Sequence, residues 1–457
     1  MKRAAAALLV LTLALVASVL AYLAVDRERE YRELIAQGET ALRDGQTFGA
    51  IEAYSGAIAL RPDSMLAHLR RGETYRRRGD FDAAARDLRR AADLDPSATR
   101  PLDELAEVFY RRQWFGRAAE TYEARLRLDD QSIDVYYRLA LARYRSGNLA
   151  GAIEAVTRVL AQQDSDADAH YLLGLCLREQ GRTGEAARAF ERTVALAPGM
   201  LPAREELSDA YAALGRGADQ IEQLQAMAAL DRTRIERQLA VSLAHARAGH
   251  GELAVLTLGN ALERMPNQPV LYGALGRVWL DMTDTRADAL SKALEALERG
   301  AAGDSATSDV LTLYGRALLM ADRPEDAERV LQRATRNFPV DPTAFLAYAE
   351  AAERQKHLGA ARQALVDYEA LVARAADEAS LDTRIGRLSV QLNEPRVAVV
   401  WLRRAANSRP NDLGVLASLA DAQLRSGDRE AAQVTIQQAL AKEPDNATFL
   451  ALARRSR

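Results

Sequence analysis

The side chains that could carry catalysis are few in this sequence, and none of them falls in a recognised catalytic spacing. The chain has 457 residues, one cysteine, Cys176, and five histidines: His68, His170, His245, His250 and His357. A single cysteine excludes an intramolecular disulfide and any metal site built from several cysteines. The sequence contains no HExxH motif, no pair of CxxC motifs and no GxxxxGKS or GxxxxGKT phosphate loop. We therefore expect no catalytic residue, no metal and no cofactor, and we interpret the histidines and Cys176 as packing residues.

Charged residues are abundant but balanced. Lysine and arginine number 61 and aspartate and glutamate 64, which gives a formal net charge of −3. This balance lacks the basic excess of a general nucleic-acid binder. One cluster of arginines, within residues 70–90, has the composition of a phosphate or anionic-lipid site. Glu73, Asp80, Asp82 and Asp87 interrupt it, and we interpret it as a solvated charged face.

The N-terminal segment differs from the rest of the chain. Lys2 and Arg3 precede an uncharged run from Ala4 to Val25. As a helix this run would extend roughly 33 Å, close to the ~30 Å hydrocarbon core of a bilayer. We expect residues 1–25 to form an uncleaved transmembrane anchor. One alternative is a cleaved signal peptide, because Val19-Leu20-Ala21 offers a cleavage site, and another is a buried helix of a soluble protein.

Basic residues on the two sides of this run bear on its orientation. Lys2 and Arg3 favour an internal N-terminus, whereas Arg27, Arg29 and Arg32 weaken that bias. A long domain that follows such a segment is usually translocated. We therefore expect a single-pass inner-membrane protein with a periplasmic body, or a secreted or periplasmic protein if the segment is cleaved.

A 34-residue period runs through the rest of the chain. Four segments that end in proline show it: Ala57–Pro62 (AIALRP), Ala91–Pro96 (AADLDP), Thr193–Pro198 (TVALAP) and Ala439–Pro444 (ALAKEP). The first two of these prolines are 34 residues apart. This is the period of a helix–turn–helix unit, the tetratricopeptide repeat.

Residue types at fixed positions within the period agree with this interpretation. The eighth position is small, which lets two helices approach closely: Gly38, Gly72, Ala106, Ala140, Gly174, Ser208, Ser242, Gly276 and Gly315. Large residues at the eleventh and twenty-fourth positions fill the space between repeats. Glycine near the fifteenth position accepts the left-handed conformation that ends the first helix, and proline at the thirty-second cannot continue a helix. The chain therefore resembles the tetratricopeptide repeat family over essentially its whole length after the N-terminal segment.

This resemblance implies an all-α fold, a right-handed α-solenoid of about twelve helix–turn–helix repeats, preceded here by one transmembrane helix. The repeats in such arrays contact mainly their neighbours. The expected domains are the anchor or signal sequence at 1–25, repeats 1–7 at 31–268, an irregular repeat 8 and candidate hinge at 269–307, repeats 9–12 at 308–446, and a capping segment at 447–457.

The resemblance also implies a concave groove lined by the first helix of each repeat, at positions two, five, nine and twelve. The residues at these positions change from acidic through apolar to basic along the chain. The predicted partner-binding residues are Glu39, Glu73, Glu107, Tyr137, Leu141, Tyr144, Tyr171, Leu175, Leu239, Leu243, Arg277 and Arg316. Apolar and aromatic side chains left exposed together suggest a protein partner. The alternative is that the superhelix closes on itself or on its own C-terminal cap.

The family's usual work is the binding of peptides, helices or folded proteins, and it brings no chemistry of its own. We therefore expect a membrane-anchored scaffold that takes part in the assembly of a cell-envelope, secretion or maturation complex of bacterial type. The alternative is a cytoplasm-facing adaptor that recruits a soluble enzyme to the membrane. The expected partners are a protein or peptide in the groove and the membrane at the N-terminal helix, without a nucleic acid or a small-molecule substrate.

Overall fold

A computed structural model describes residues 2–372 and 378–456, with side chains from residue 11 onward. These residues form 25 α-helices, and the all-α prediction is confirmed. The first twelve are α1 (Lys2–Arg43), α2 (Thr47–Leu60), α3 (Met65–Arg78), α4 (Phe81–Leu94), α5 (Arg100–Arg111), α6 (Phe115–Leu126), α7 (Ile133–Arg145), α8 (Leu149–Gln162), α9 (Ala167–Glu179), α10 (Thr183–Leu196), α11 (Leu201–Ala213) and α12 (Gly217–Leu230). The others are α13 (Ile235–Arg247), α14 (Gly251–Arg264), α15 (Pro269–Asp281), α16 (Ala289–Ala301), α17 (Ser308–Met320), α18 (Pro324–Ala334), α19 (Thr343–Arg354), α20 (Leu358–Leu371), α21 (Glu378–Gln391), α22 (Pro395–Ser408), α23 (Leu413–Ser426), α24 (Arg429–Leu440) and α25 (Ala447–Arg455).

Among helices α1–α10 and among helices α13–α24, consecutive helices pack as hairpins, which stack in chain order within each range. Helix α3 packs against α4, α7 against α8 and α15 against α16, and each hairpin also contacts the next helix of the chain. First helices of successive repeats touch as well, as α7 and α9 do. The short last helix, α25, packs on α23 and α24 and buries Phe449 and Leu452 there.

A small residue in the first helix of each hairpin receives a large side chain from the second. A Cβ atom added to the first-helix glycine would lie 2.3–2.8 Å from that side chain in six hairpins, a separation that real Cβ atoms do not adopt. The six pairs are Gly38–Tyr54, Gly72–Leu88, Gly174–Phe190, Gly276–Leu297, Gly315–Leu331 and Gly386–Leu402. Where the small residue is alanine, the second-helix residue is also buried, as in the pairs Ala106–Tyr122 and Ala140–Val156. The interdigitation of these residues sets the distance between the two helices.

The turn inside eleven of the twelve hairpins contains one residue in the left-handed backbone region. In seven of them this residue is a glycine with φ between 71° and 87°: Gly45, Gly79, Gly147, Gly181, Gly215, Gly249 and Gly427. In four it is another residue type: Gln113 (φ 61°), Asp322 (φ 54°), Lys356 (φ 59°) and Asn393 (φ 59°). The turn of the α15–α16 hairpin has no residue with positive φ. The left-handed turn thus occurs in most hairpins, even where the residue type disfavours it.

The chain divides into two compact blocks, residues 1–223 and residues 224–457, which we call the N-terminal and C-terminal blocks. The division falls within α12, in the sixth predicted repeat. That repeat lacks the usual small residue at Gln220 and the usual closing proline at Arg232. The hinge predicted at 269–307 lies inside the C-terminal block.

The predicted transmembrane helix is wrong. Helix α1 continues from Lys2 to Arg43, and its later turns pack against α2. Among the described residues, no helix is both long and apolar enough to cross a membrane. The uncharged residues with described side chains, 11–25, extend about 22 Å as a helix, less than the ~30 Å bilayer core, and the side chains of residues 2–10 lie outside the description. The expected inner-membrane localisation with a periplasmic body is contradicted by the same finding.

Replacement of Lys356 by glycine should stabilise the protein. Lys356 is exposed and has a φ of 59°, and an L-residue in this region costs about 1–2 kcal/mol relative to the right-handed region. Glycine removes most of that cost, so we expect Lys356→Gly to raise the free energy of unfolding by about 1 kcal/mol, measured by urea unfolding followed by circular dichroism. The reverse change, Gly79→Ala, should lower it, since Gly79 has a φ of 84° and an added Cβ would meet nothing within 4 Å. A destabilised Lys356→Gly variant would contradict this account of the turn.

Candidate functional site

Three of the five histidines and the cysteine are buried among the helices, whereas His250 and His357 are exposed. His68 is buried, and its ring nitrogens contact Asp87 Oδ1 at 3.2 Å and the carbonyl oxygen of Pro62 at 3.2 Å. The His170 ring lies 2.9 Å from the carbonyl oxygen of Asp164. Cys176 is fully buried, and burial raises the pKa of its thiol to about 11. The buried environment of Cys176 favours the neutral thiol, which is a poor nucleophile.

Three arginines of repeat 2, Arg70, Arg71 and Arg76, form ion pairs within the protein. Arg71 donates to both carboxylate oxygens of Asp87, at 2.6 and 2.8 Å. Arg76 lies 2.6 Å from Glu104 of the next repeat, and both side chains are largely buried. Because these guanidinium groups already have carboxylate partners, they are poorly placed to bind phosphate or lipid headgroups.

The three predicted acidic groove residues are also paired with arginines. Glu39 and Glu73 both contact Arg70, at 3.4 and 3.1 Å, and Glu73 contacts Arg100 at 2.7 Å. Glu107 accepts from its own helix, from Arg111 at 2.6 Å. Glu73 is only 5% exposed. The first helices of repeats 1–3 therefore carry a lattice of ion pairs and offer little unneutralised charge to a ligand.

An apolar surface on α7 and α9, in the N-terminal block, contains five of the predicted residues. We call it the tyrosine strip: Tyr137, Leu141, Tyr144, Tyr171 and Leu175. All five side chains are half-buried, and their inner sides pack against the cores of the neighbouring hairpins. The Tyr171 ring lies 5.9 Å from that of Phe190, the residue that fills the space above Gly174. One side of each ring is thus fixed by packing and the other faces outward.

Carboxylates surround the tyrosine strip. Burial is the main reason that the pKa of Tyr137 rises to about 12, and the negative charges of Asp168 and Asp166 add to it. The pKa of Tyr171 is raised by burial and then by Glu206, against a smaller opposing effect of Arg178. The tyrosines are therefore neutral at physiological pH and act as hydrogen-bonding apolar groups.

A second apolar surface lies in the C-terminal block, on the three first helices α13, α15 and α17. It encloses a cavity of about 300 Å³, which we call the leucine groove. Its apolar lining residues are Leu239, Ala240, Leu243, Ala246, Val270, Gly273, Ala274, Val278, Val310 and Leu313. Its polar lining residues are Glu236, Ser242, Arg277, Asp281 and Asp309. Leu243 is 47% exposed and Val270 43% exposed, so a contiguous apolar area faces solvent here.

The leucine groove depends on a close approach between α15 and α17. A Cβ atom added to Gly273 would lie 2.4 Å from Cγ2 of Val310, so only glycine allows these two helices to meet at this point. Small residues on the same face, Ala240 and Ala274, keep the groove open between the larger leucines. The cavity is thus a product of backbone proximity and small side chains.

The structure brings only some of the predicted C-terminal residues together. Leu239, Leu243 and Arg277 line the leucine groove, whereas Arg316 is exposed on α17 and does not line it. The lining also includes the sixth residue of each first helix, Ala240, Ala274 and Leu313, a position that the sequence analysis left out. The helical period could have found it, because position six lies four residues after position two and three residues before position nine, and these spacings share a helix face.

A larger hollow of about 850 Å³ lies among the later repeats of the C-terminal block, but its lining is more polar. Arg384 contacts Glu353 at 2.7 Å, and Arg387 donates to Ser418 at 3.1 Å. Burial of apolar area is the main driving force of association. The leucine groove is therefore the better candidate for a partner site, although it is smaller.

Comparisons with known proteins identify the repeats. A family model described as tetratricopeptide repeat matches residues 35–99, 74–133 and 137–200, and a second model with that description matches residues 308–351. The prediction that the chain contains tetratricopeptide repeats is thereby confirmed. Proteins of this repeat family are generally scaffolds for protein–protein interaction without catalysis, and this coarse function is the one that the matches support.

The chain is also similar to solved structures. It is 26% identical to the MamA protein over 38% of this chain and 94% of MamA, with a TM-score of 0.36. It is 20% identical to YrrB, described as a TPR protein with an unusual peptide-binding site, over 42% of this chain and 98% of YrrB, with a TM-score of 0.37. It is 14% identical to a chain of the APC/C hetero-tetramer Cut9–Hcn1, over 93% of this chain and 96% of that chain, with a TM-score of 0.33. No curated protein matches the chain.

The buried environment of Cys176 predicts that its thiol is protected in the folded protein. Burial raises its pKa to about 11, so almost no reactive thiolate forms near neutral pH, and the surrounding helices block access. We expect the native chain to resist labelling by iodoacetamide and the urea-unfolded chain to react fully, as measured by mass spectrometry. Ser165→Cys, an exposed position just before α9, serves as the control that must react in the folded state. Rapid native labelling of Cys176 would contradict the packing role.

Proposed function

We propose that this protein is an interaction scaffold that binds a segment of a partner protein in the leucine groove, with the tyrosine strip as a second contact surface. The observation that carries the proposal is the partly open apolar cavity of about 300 Å³ across α13, α15 and α17. Sites that bind other molecules are typically concave and mostly apolar, with a few polar groups at fixed positions. The leucine groove has this composition.

Energetic considerations favour a ligand over empty solvent at this surface. Leu243 and Val270 are 47% and 43% exposed. Complete burial of a side chain of this kind is worth roughly 1.5–3 kcal/mol, so covering the remaining exposed part of several of them would stabilise a complex. Lone exposed leucines need no explanation, but a contiguous apolar area around a cavity is typical of an interaction surface.

The proposed function is the binding of a partner protein and does not include a membrane. The hypothesis of assembly of an envelope, secretion or maturation complex, and the alternative of a cytoplasm-facing adaptor, both placed the repeats beside a membrane. The transmembrane helix on which they depended is contradicted. What supports an interaction role is the tetratricopeptide repeat itself, together with the two apolar first-helix surfaces.

Replacement of Leu243 by aspartate should abolish capture of the partner. The charge would stand over the apolar lining and oppose its burial, whereas the fold should survive because Leu243 is already 47% exposed. The measurement is affinity capture from a lysate of the source cells with the full chain as bait, quantified by mass spectrometry. We expect a loss of at least about tenfold for proteins that the unmodified chain captures, which corresponds to 1.4 kcal/mol.

The matched control is Leu256→Asp, the same change at a leucine that is 59% exposed on the second helix α14 and does not line the groove. This variant should capture the same proteins as the unmodified chain. Equal capture by both variants, with both folded, would place the partner site elsewhere on the array.

A further inference from the structure

The charges around the leucine groove indicate the chemistry of its ligand. This step rests on the proposed function. We infer that the partner segment presents a bulky apolar side chain to the groove, flanked by lysine or arginine residues that meet the carboxylates at its ends.

The cavity fits a side chain and not a folded surface. A volume of about 300 Å³ is at the lower end of sites that hold small ligands. Its lining combines small residues, the alanines and Gly273, with larger apolar ones, Leu239, Leu243, Val310 and Leu313. A leucine, isoleucine, methionine or phenylalanine from an exposed segment could therefore enter it, and the rest of the segment would lie across the first helices.

Carboxylates outnumber cations among the described residues that line the groove. Glu236, Asp281 and Asp309 are acidic, and Arg277 is basic. Glu236 has an arginine partner, Arg234, but at 3.7 Å and with both side chains mostly exposed, which is a weak pair. Within the described ranges, Asp281 and Asp309 are not within ion-pair distance of any cation. The rim therefore has negative charge that the protein itself does not neutralise.

The positions of these carboxylates place them at both ends of the groove. Glu236 and Asp309 lie in the first turns of α13 and α17, and Asp281 is the last residue of α15. Because each first helix is followed by one that returns in a hairpin, α13, α15 and α17 run in the same direction. A bound segment would thus pass from one carboxylate group to the other, across the apolar cavity between them.

Asp281 is the residue that the fold alone does not explain. Acidic residues in a first turn, such as Glu236 and Asp309, are stabilised by the positive end of the helix dipole. At the last residue of α15, Asp281 faces the negative end, which is unfavourable. A residue that breaks a local rule without a compensating contact is a candidate for function. A cation from the partner would supply the missing contact.

The tyrosine strip shows the same combination independently. The charged side chains that act on Tyr137, Tyr144 and Tyr171 are five carboxylates, Asp166, Asp168, Glu179, Glu205 and Glu206, and two arginines, Arg145 and Arg178. Carboxylates therefore outnumber cations beside the apolar surface of each block. This agreement favours a basic, apolar segment over an acidic one.

Three synthetic peptides test the inference. Each carries the same spaced leucines and a fluorescein label, and they differ only in flanking residues, which are lysine, glutamine or glutamate. Binding to the full chain is measured by fluorescence anisotropy at low salt. We expect the lysine peptide to bind at least about tenfold more tightly than the glutamate peptide, and added salt should reduce the difference.

Variants of the chain separate the contribution of charge from that of apolar burial to peptide binding. Asp281→Asn should lower the affinity for the lysine peptide several-fold and leave the affinity for the glutamine peptide unchanged. Arg277→Gln should raise the affinity for the lysine peptide. The three peptides could bind equally well, with Leu243→Asp abolishing the binding of the glutamine peptide. That result would overturn the charge inference but would support the proposed function. Failure of the unmodified chain to bind any of the three peptides would overturn both.

Discussion

The fold depends on one packing constraint, the insertion of a large second-helix side chain into the space above a small first-helix residue. In six hairpins that residue is glycine, and an added Cβ would overlap the inserted tyrosine, leucine or phenylalanine at 2.3–2.8 Å. Glycine in a helix interior costs roughly 0.5–1 kcal/mol relative to alanine, so its recurrence there reflects the packing. The contact sets the helix separation, and in eleven of the twelve hairpins the turn that joins the two helices has a left-handed residue, even at Lys356 and Gln113.

This constraint also creates the candidate sites. Because the second helix takes up one face of the first, the side chains on another face of the first helix remain for a ligand. In the N-terminal block this face carries Tyr137 and Tyr171, half-buried against the hairpin cores. In the C-terminal block, the approach of α15 to α17 at Gly273 adds a partly open cavity. Small residues therefore have two effects: they let the helices pack closely, and they leave space for a side chain of a partner protein.

The sequence predicted the helical fold well because the 34-residue period and the small eighth residue report directly on helix pairing. It predicted the site less completely. The left-handed turns at Lys356 and Gln113 were not predicted, because glycine alone was taken as their signal and other residues also adopt this conformation here. The pairing of Glu73 with Arg70 and Arg100 depends on neighbouring repeats, which no single-helix pattern contains. The transmembrane interpretation relied on the composition of residues 4–25. It did not anticipate that this segment is the first part of a single helix, α1, which continues to Arg43.

A double-mutant cycle at Gly174 and Phe190 tests the packing constraint most directly. Gly174→Ala places a Cβ 2.4 Å from the Phe190 ring, and Phe190→Val leaves a cavity, so each change alone should destabilise the protein. Together they reproduce the Ala140–Val156 pair of the preceding repeat, in which both residues are fully buried. Urea unfolding of the four proteins should show the double variant at least about 1 kcal/mol more stable than the sum of the single effects predicts. Additivity within about 0.5 kcal/mol would contradict the claim that this contact sets the helix separation.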